Sequence, residues 1–148
     1  MEINLLEVGV TLTLLSSFLG GALILINSQE IAACLESIRF LYPGKRVVGI
    51  FQPHLYTRTR DFADQFAEVL STLDELIMMP IYPAREKPIL GVTSSMVLRK
   101  IDSMSKYLCT PDQVLELVPA LCPDIVVTLG AGDIDRLVPR LESVLNEQ

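Results

Sequence analysis

The residues best suited to chemistry are concentrated in one stretch, FQPHLYTRTRD, at residues 51–61. It contains the only histidine of the chain, His54, together with Arg58 and Arg60. An arginine can hold a carboxylate or a phosphate through two parallel hydrogen bonds, and a histidine can exchange a proton or orient an anion. The stretch therefore indicates a binding site for an anion or a small zwitterion. The candidate ligand-binding residues in it are His54, Tyr56, Arg58 and Arg60, and Gln52 is a candidate supporting residue.

The same stretch also fits an exposed connection between a strand and a helix. The two arginines would then pair with Asp61, with Asp64 or with a helix end, and exposed ion pairs of this kind contribute little to stability. In the functional interpretation, a helix that begins near Thr59 directs its first backbone N–H groups toward the ligand. The residue pattern alone leaves both interpretations open.

Two later loops hold candidate supporting residues for such a site. The proline-rich loop at residues 80–88 mixes an aromatic residue with both signs of charge, and it also fits a stiff surface connection. The turn GAGD at residues 130–133 is similar to a phosphate-binding turn, but it lacks the third glycine of the dinucleotide fingerprint. Asp133 is predicted to cap the helix that follows. Together with Gln52, the candidate supporting residues are Tyr82, Arg85, Gly130, Gly132 and Asp133.

The hydrophobic pattern predicts the elements that must position these loops. Uninterrupted apolar runs at residues 47–51, 76–79 and 125–129 are typical of short strands covered on both faces. Apolar residues recur at helical spacing between these runs and after the last one. This alternation predicts an α/β domain in which a mostly parallel sheet carries helices on both faces. Ligands of such sheets bind at the carboxyl ends of the strands, which is where the candidate loops lie.

Capping signals predict where the helices begin and end. The first helix carries an apolar stripe from Ile31 to Leu41 and ends at the YPG turn of residues 42–44. The sequence TPDQ at residues 110–113 combines a cap, a proline at the first position and a capping-box glutamine. A short edge strand is predicted at residues 107–109. The predicted N-cap residues are Ser28, then Ser94 or Ser95 for a helix that runs through Ile101, and Thr110, and a further helix is predicted to begin near Thr59.

Composition excludes several classes of protein. The chain has 148 residues, which fits one domain, and its formal net charge of −6 opposes nonspecific binding to nucleic acid. A single histidine and three widely spaced cysteines provide no recognisable metal site. The sequence contains no P-loop motif, so the chain has no phosphate-binding loop of that kind.

The beginning of the chain differs in character from the rest. Residues 9–26 are almost wholly apolar and uncharged, but nearby acidic residues oppose a secretory signal. Residues 22–26 are predicted to form a short buried strand, with a membrane anchor as the alternative that we do not expect. We therefore expect an atypical apolar leader at residues 1–27, partly a first strand, followed by the main domain at residues 28–148.

Four stretches, in order and in spacing, resemble one family. The first is FQPHLYTRTRD at residues 51–61, with a specific QPH core, and the others are FAEVL at 66–70, IYPARE at 81–86 and LGAGDI at 129–134. Together they resemble the C-terminal domain of the UDP-N-acetylmuramate–L-alanine ligases, which belong to the Mur ligase family of peptidoglycan synthesis. The resemblance runs from about residue 29 to the end of the chain.

The resemblance implies a Rossmann-like, three-layer α/β domain and a set of roles. In the family, a central domain binds ATP and Mg, an N-terminal domain holds UDP-N-acetylmuramate, and the C-terminal domain presents L-alanine. Carried over by position, Arg58 binds the carboxylate of L-alanine and His54 helps to order the pocket. Tyr56 and Arg60 are further candidates for substrate contact. No catalytic residue and no bound metal or cofactor is expected in this chain alone, and the full-length ligase is expected in the bacterial cytoplasm.

The chain also departs from the family pattern. The family's C-terminal domain opens with a DDYxHHP motif, where this chain has ILINSQE at residues 24–30. Leu55 stands where many relatives carry an arginine. Without the P-loop and sugar-binding domains, the chain is expected to be a domain fragment, inactive or nearly so in isolation. The alternatives are the C-terminal domain of a murein-peptide recycling ligase and a non-catalytic or membrane-tethered binding module.

Overall fold

The computed structural model describes residues 2–7, 10–15, 27–102 and 105–147. From residue 47 onward, strands and helices alternate as the hydrophobic pattern predicts. The elements in chain order are β1 (Glu2–Glu7), β2 (Val10–Leu15), α1 (Ser28–Leu41), β3 (Val47–Gln52), α2 (Tyr56–Asp61), α3 (Ala63–Leu70), β4 (Glu75–Met78), α4 (Ser94–Leu98), β5 (Ser105–Leu108), α5 (Pro111–Leu121), β6 (Ile125–Gly130), a 3₁₀ helix (Asp133–Leu137) and α6 (Val138–Asn146).

The strands form one sheet in the order β2-β1-β6-β3-β4-β5. The neighbours from β6 to β5 are parallel, whereas β1 pairs antiparallel with both β6 and β2. The predicted mostly parallel sheet is confirmed, and β5 is the predicted edge strand. The antiparallel β1–β2 pair extends the sheet beyond β6, which the hydrophobic pattern does not predict. The strand predicted at residues 22–26 lies outside the described residues.

Apolar side chains pack on both faces of the sheet. Helices α1, α3 and α4 cover one face, and α5, the 3₁₀ helix and α6 cover the other. Every residue of β3 and β6 is buried, which explains their uninterrupted apolar runs. The predicted three-layer α/β architecture is therefore confirmed. None of the described helices is long and apolar enough to cross a membrane.

Two helix boundaries agree with the capping signals. Helix α5 begins with the predicted capping box, in which the Thr110 hydroxyl accepts from the Gln113 N–H and the Gln113 side chain accepts from the Thr110 N–H. Helix α1 ends at Leu41, and its C-cap is Tyr42, the first residue of the predicted YPG turn. Local sequence decides both boundaries because each cap is made by residues within one turn of the helix end.

Two predicted caps are wrong by one or two residues. Asn27, not Ser28, caps α1, and Thr93, rather than Ser94 or Ser95, caps α4. In each case adjacent residues carry interchangeable capping groups, so residue type alone does not choose between them. Helix α4 ends at Leu98 instead of continuing to Ile101.

Leu41 also departs from the predicted apolar stripe of α1. Its exposed fraction is 59%, whereas the stripe residues from Ile31 to Ile38 are buried. Leu41 is the last residue of the helix, beyond the part that packs on the sheet.

Candidate functional site

The parallel sheet brings the three predicted loops together at the carboxyl ends of β3, β4 and β6. In the paired strands β3 and β6, Gln52 lies opposite Gly130. Directly after β3, His54 forms a parallel bridge with Tyr82 from the loop that follows β4. Residues predicted from distant parts of the sequence thus meet at one edge of the sheet, as expected for ligand sites in such folds.

The Tyr82 ring packs closely against both His54 and Gly132. The rings of His54 and Tyr82 stack with centroids 5.6 Å apart and planes inclined by 15°. The Tyr82 N–H donates to the Pro53 carbonyl at 2.8 Å, and the Leu55 N–H donates to the Tyr82 carbonyl at 2.9 Å. A Cβ at Gly132 would lie 2.6 Å from Cγ of the Tyr82 ring, and the φ of Gly132 is +123°. Only glycine fits this position without displacement of the ring.

The turn after β6 is tied to β3 through Asp133. Gln52 is buried, and its Nε2 donates to Asp133 Oδ1 at 2.8 Å. The prediction that Asp133 caps the last helix is wrong. Gly132 is the residue that precedes the 3₁₀ helix, and Asp133 lies within the first turn of that helix. The Asp133 carboxylate accepts from Gln52 instead of from the helix backbone. A Cβ at Gly130 would lie 3.1 Å from the Gln52 carbonyl oxygen, so this turn also approaches β3 closely.

Helix α2 begins at Tyr56, three residues before the predicted start near Thr59. Arg58 and Arg60 therefore lie within the helix and not in a loop that precedes it. Leu55 adopts a left-handed φ of 68° at the junction, and its side chain provides no cap. The buried Thr59 donates its hydroxyl to the Leu55 carbonyl at 2.7 Å, which fixes the junction from inside. A non-glycine residue in this conformation costs energy and is found most often near functional sites.

Glu86 is the site residue that the sequence analysis missed. Its carboxylate accepts from the Thr57 N–H at 3.0 Å and from the Thr57 hydroxyl, 29 residues earlier in the chain. These hydrogen bonds, with a further one from the Tyr56 N–H, lower the pKa of Glu86 below its ordinary value. The sequence signal was an acidic residue in the IYPARE stretch, but its partner becomes visible only in the fold.

The two arginines of α2 have different surroundings. Arg58 is partly buried, and its guanidinium carbon lies 5.3 Å from the centre of the Phe62 ring. Arg60 is exposed and pairs with Asp61 at 2.7 Å, so the ion-pair interpretation describes Arg60. Tyr56 is partly buried at the start of α2, whereas Arg85 is exposed in its loop. Of the two arginines, Arg58 is therefore the one whose positive charge lowers the pKa of His54.

The surroundings of His54 favour a neutral imidazole. Its pKa is lowered from the ordinary value of 6.5, first by burial and then by the positive charge of Arg58, while Glu86 opposes the shift. Within the described part of the chain, His54 Nδ1 and Gln52 Oε1 are buried and have no hydrogen-bond partner. A neutral ring keeps one nitrogen as an acceptor, so the site offers buried acceptors beside a cationic group.

The chain is similar in sequence to curated ligases that share one name. The chain is 50% identical over 122 residues to the UDP-N-acetylmuramate–L-alanine ligase of Parabacteroides distasonis, covering 82% of this chain and 26% of that protein. The ligase of the same name from Flavobacterium johnsoniae is 48% identical over 121 residues, covering 82% and 27% respectively. This chain is a homologue of those ligases. The match to the Porphyromonas gingivalis ligase is 50% over 110 residues, covering 74% of the chain and 24% of the relative.

The homology to UDP-N-acetylmuramate–L-alanine ligases covers only part of them. The chain spans about a quarter of the length of the curated relatives that it matches. No protein-family model matches the chain. The predicted resemblance to these ligases is confirmed.

Among residues 27–102 and 105–147, no group of three His, Cys, Asp or Glu side chains converges as metal ligands. The sequence also contains no P-loop motif. In the part of the chain that the structure describes, this edge of the sheet carries the partly buried Arg58 guanidinium and the buried atoms His54 Nδ1 and Gln52 Oε1.

Proposed function

We propose that this chain supplies the C-terminal, amino-acid-presenting domain of an ATP-dependent UDP-N-acetylmuramate–L-alanine ligase. The observation that carries the proposal is Arg58, partly buried on α2 and close to His54 at the carboxyl end of β3. The homology to ligases with this name supports the choice of reaction. The substrates are then L-alanine and UDP-N-acetylmuramate, joined in peptidoglycan synthesis.

Arg58 binds the carboxylate of L-alanine in this proposal. A guanidinium donates two parallel hydrogen bonds to a carboxylate, which fixes both the position and the orientation of the amino acid. The Phe62 ring beneath the guanidinium limits its freedom, and the short helix α2 fixes the backbone that carries it. A bound amino acid held in this way presents its amine in one direction.

His54 adds polar contact without a second positive charge. Because its pKa is below 6.5, the imidazole is neutral near pH 7 and retains an acceptor nitrogen. Its stacking on Tyr82 fixes the ring plane. In a bound zwitterion, the cationic Arg58 contacts the carboxylate and the neutral His54 can accept from the amine. Two cationic groups would repel that amine.

The remaining chemistry belongs to other parts of the proposed ligase. ATP, with Mg, supplies the phosphoryl group that activates the sugar carboxylate, and the site for it lies in the central domain of the family. This chain alone is expected to have no ligase activity, and the complete ligase is expected in the bacterial cytoplasm. Closure of the domain over the other half of the site brings the amine of L-alanine to the activated carboxylate.

A hybrid ligase tests the role of Arg58. The hybrid ligase is the Parabacteroides distasonis protein in which residues 27–148 of this chain replace the matching segment. Arg58→Ala in the hybrid should raise the KM for L-alanine by at least about 30-fold, since truncating one partner of a buried charge pair costs about 2–5 kcal/mol. L-alanine-dependent release of phosphate from ATP measures the constant.

Arg140→Ala is the matched control for this test. Arg140 is exposed and pairs with Asp112 on the surface, so its loss should leave the KM for L-alanine unchanged. An unchanged KM in the Arg58→Ala hybrid would contradict the proposed role of Arg58.

A further inference from the structure

The first turn of α2 lacks a cap from its own sequence. The backbone N–H groups at the start of a helix need acceptors, which a side chain just before the helix usually provides. Leu55 stands at that position, and its side chain makes no hydrogen bond there. The carboxylate of Glu86 accepts from Thr57 instead, through both its oxygens. The cap of α2 is thus supplied by a segment remote in sequence.

The loop that carries Glu86 is attached to the α2 junction at two places. At one end Tyr82 exchanges backbone hydrogen bonds with Pro53 and Leu55, and its ring stacks on His54. At the other end Glu86 holds Thr57, and its own N–H donates to the Pro83 carbonyl at 2.9 Å. A turn attached at both ends moves as one unit with the segment that it holds.

Two polar groups of the site, the Arg58 guanidinium and the His54 imidazole, lie on the part that this turn fixes. Arg58 follows Thr57 directly, within the first turn of α2, and His54 lies before the helix. A displacement of the first turn therefore moves the guanidinium relative to the imidazole. Misplacement of a clamping group by about 1 Å can lower the efficiency of an enzyme by about a hundredfold.

We propose that Glu86 is a positioning residue of the L-alanine site, which caps α2 from a distance and so holds Arg58 and His54 in binding geometry. The inference rests on the proposed function and deepens it, because it assigns a task to a residue that touches no substrate. Glu86 acts through α2, so its loss is expected to weaken L-alanine binding more than it slows the reaction of bound substrate.

The test measures KM and kcat for L-alanine in the hybrid ligase. Glu86→Ala should raise KM about tenfold, the effect of one lost charge-assisted hydrogen bond, and should change kcat less than about twofold. Glu86→Gln keeps one acceptor and should give an intermediate KM. The exposed neighbour Lys87 provides the control, and Lys87→Ala should leave both constants unchanged.

A double variant separates this inference from the proposed function. If Glu86 acts through Arg58 and His54, adding Glu86→Ala to Arg58→Ala should raise KM by clearly less than the product of the two single effects. An increase in KM equal to the product of the two single increases would overturn the inference. So would an unchanged KM in Glu86→Ala together with a raised KM in Arg58→Ala. An unchanged KM in Arg58→Ala would instead remove the proposed function itself.

Amide hydrogen exchange in the 148-residue chain provides a measurement that needs no activity. The Thr57 N–H should exchange at least about tenfold faster in Glu86→Ala than in Lys87→Ala, because its acceptor is lost. Equal exchange rates in the two variants would overturn the assigned cap.

Discussion

His54 is the residue whose environment can be measured most directly, because it is the only histidine of the chain. Burial and the charge of Arg58 lower its pKa, and the charge of Glu86 acts in the opposite direction. The sequence predicted His54 and Arg58 as members of one site through their spacing in the QPH stretch. Their mutual influence and the part played by Glu86 depend on distances that spacing does not supply.

The first prediction concerns the pKa of His54. An NMR titration of the imidazole should give a value below 6.5, and Arg58→Leu should raise it because a nearby positive charge is lost. Arg140→Leu removes an exposed arginine of α6 and should leave the titration unchanged. A wild-type value at or above 6.5 would contradict the described burial of the ring.

A change in stability with pH follows from the same shift. Since the pKa of His54 is lower in the folded chain, the unfolded chain binds more protons between the folded pKa and 6.5. The free energy of unfolding should therefore fall as pH decreases through 6.5, and this contribution should level off below the folded pKa. Urea unfolding of the wild type and of His54→Gln checks it: the variant should show a flatter dependence over that range, and parallel curves would contradict the prediction.

At the scale of elements, the sequence predicted most helices and strands but not how one element completes another. The cap of α5 is local and was predicted, whereas the cap of α2 comes from Glu86, 29 residues after Thr57. Without that partner the pattern places the start of α2 near Thr59. Asp133 is a similar case, because its hydrogen bond to Gln52 on β3 replaces the local cap that the residue type suggests.

Gly132 offers a test of how closely the turn after β6 packs against the loop after β4. Gly132→Ala introduces a Cβ that would lie 2.6 Å from the Tyr82 ring at a φ of +123°. The free energy of unfolding should fall by about 1–3 kcal/mol more than in Gly44→Ala, because overpacking adds to the cost of positive φ. Chemical denaturation measures both values.

Gly44 is the matched control because its φ is +77° and nothing lies within 4 Å of an added Cβ. Gly44→Ala therefore measures the cost of positive φ alone, about 1 kcal/mol. If both variants lost the same free energy of unfolding, the Tyr82 ring would be able to move without cost. The stacking of Tyr82 on His54 would then not fix the site.

At the scale of the whole molecule, the predicted α/β architecture explains why a site forms at this edge of the sheet. Parallel pairing of β3 with β4 and β6 places their carboxyl ends side by side, so residues 52, 82 and 132 meet. Buried strands and amphipathic helices are visible in sequence periodicity. The antiparallel pairing of β1 with β6 is not visible in sequence periodicity, because it joins residues that lie far apart in the sequence, such as Asn4 and Thr128.

The role of the molecule as a domain remains a proposal, since the chain spans about a quarter of its curated relatives. The proposed site supplies a carboxylate clamp and fixed acceptors. In the proposed ligase, other domains supply the nucleotide and the activated sugar carboxylate. Separate domains that close on one another are a common way to assemble such a site.

The most direct measurement of the central claim compares the hybrid ligase with the same ligase lacking the matching segment and with the 148-residue chain alone. UDP-N-acetylmuramate, ATP and Mg are supplied, and phosphate release is followed with and without L-alanine. We expect L-alanine-dependent release by the hybrid and none by the other two proteins. A folded hybrid that binds UDP-N-acetylmuramate but responds to a peptide instead of L-alanine, or to neither, would contradict the account.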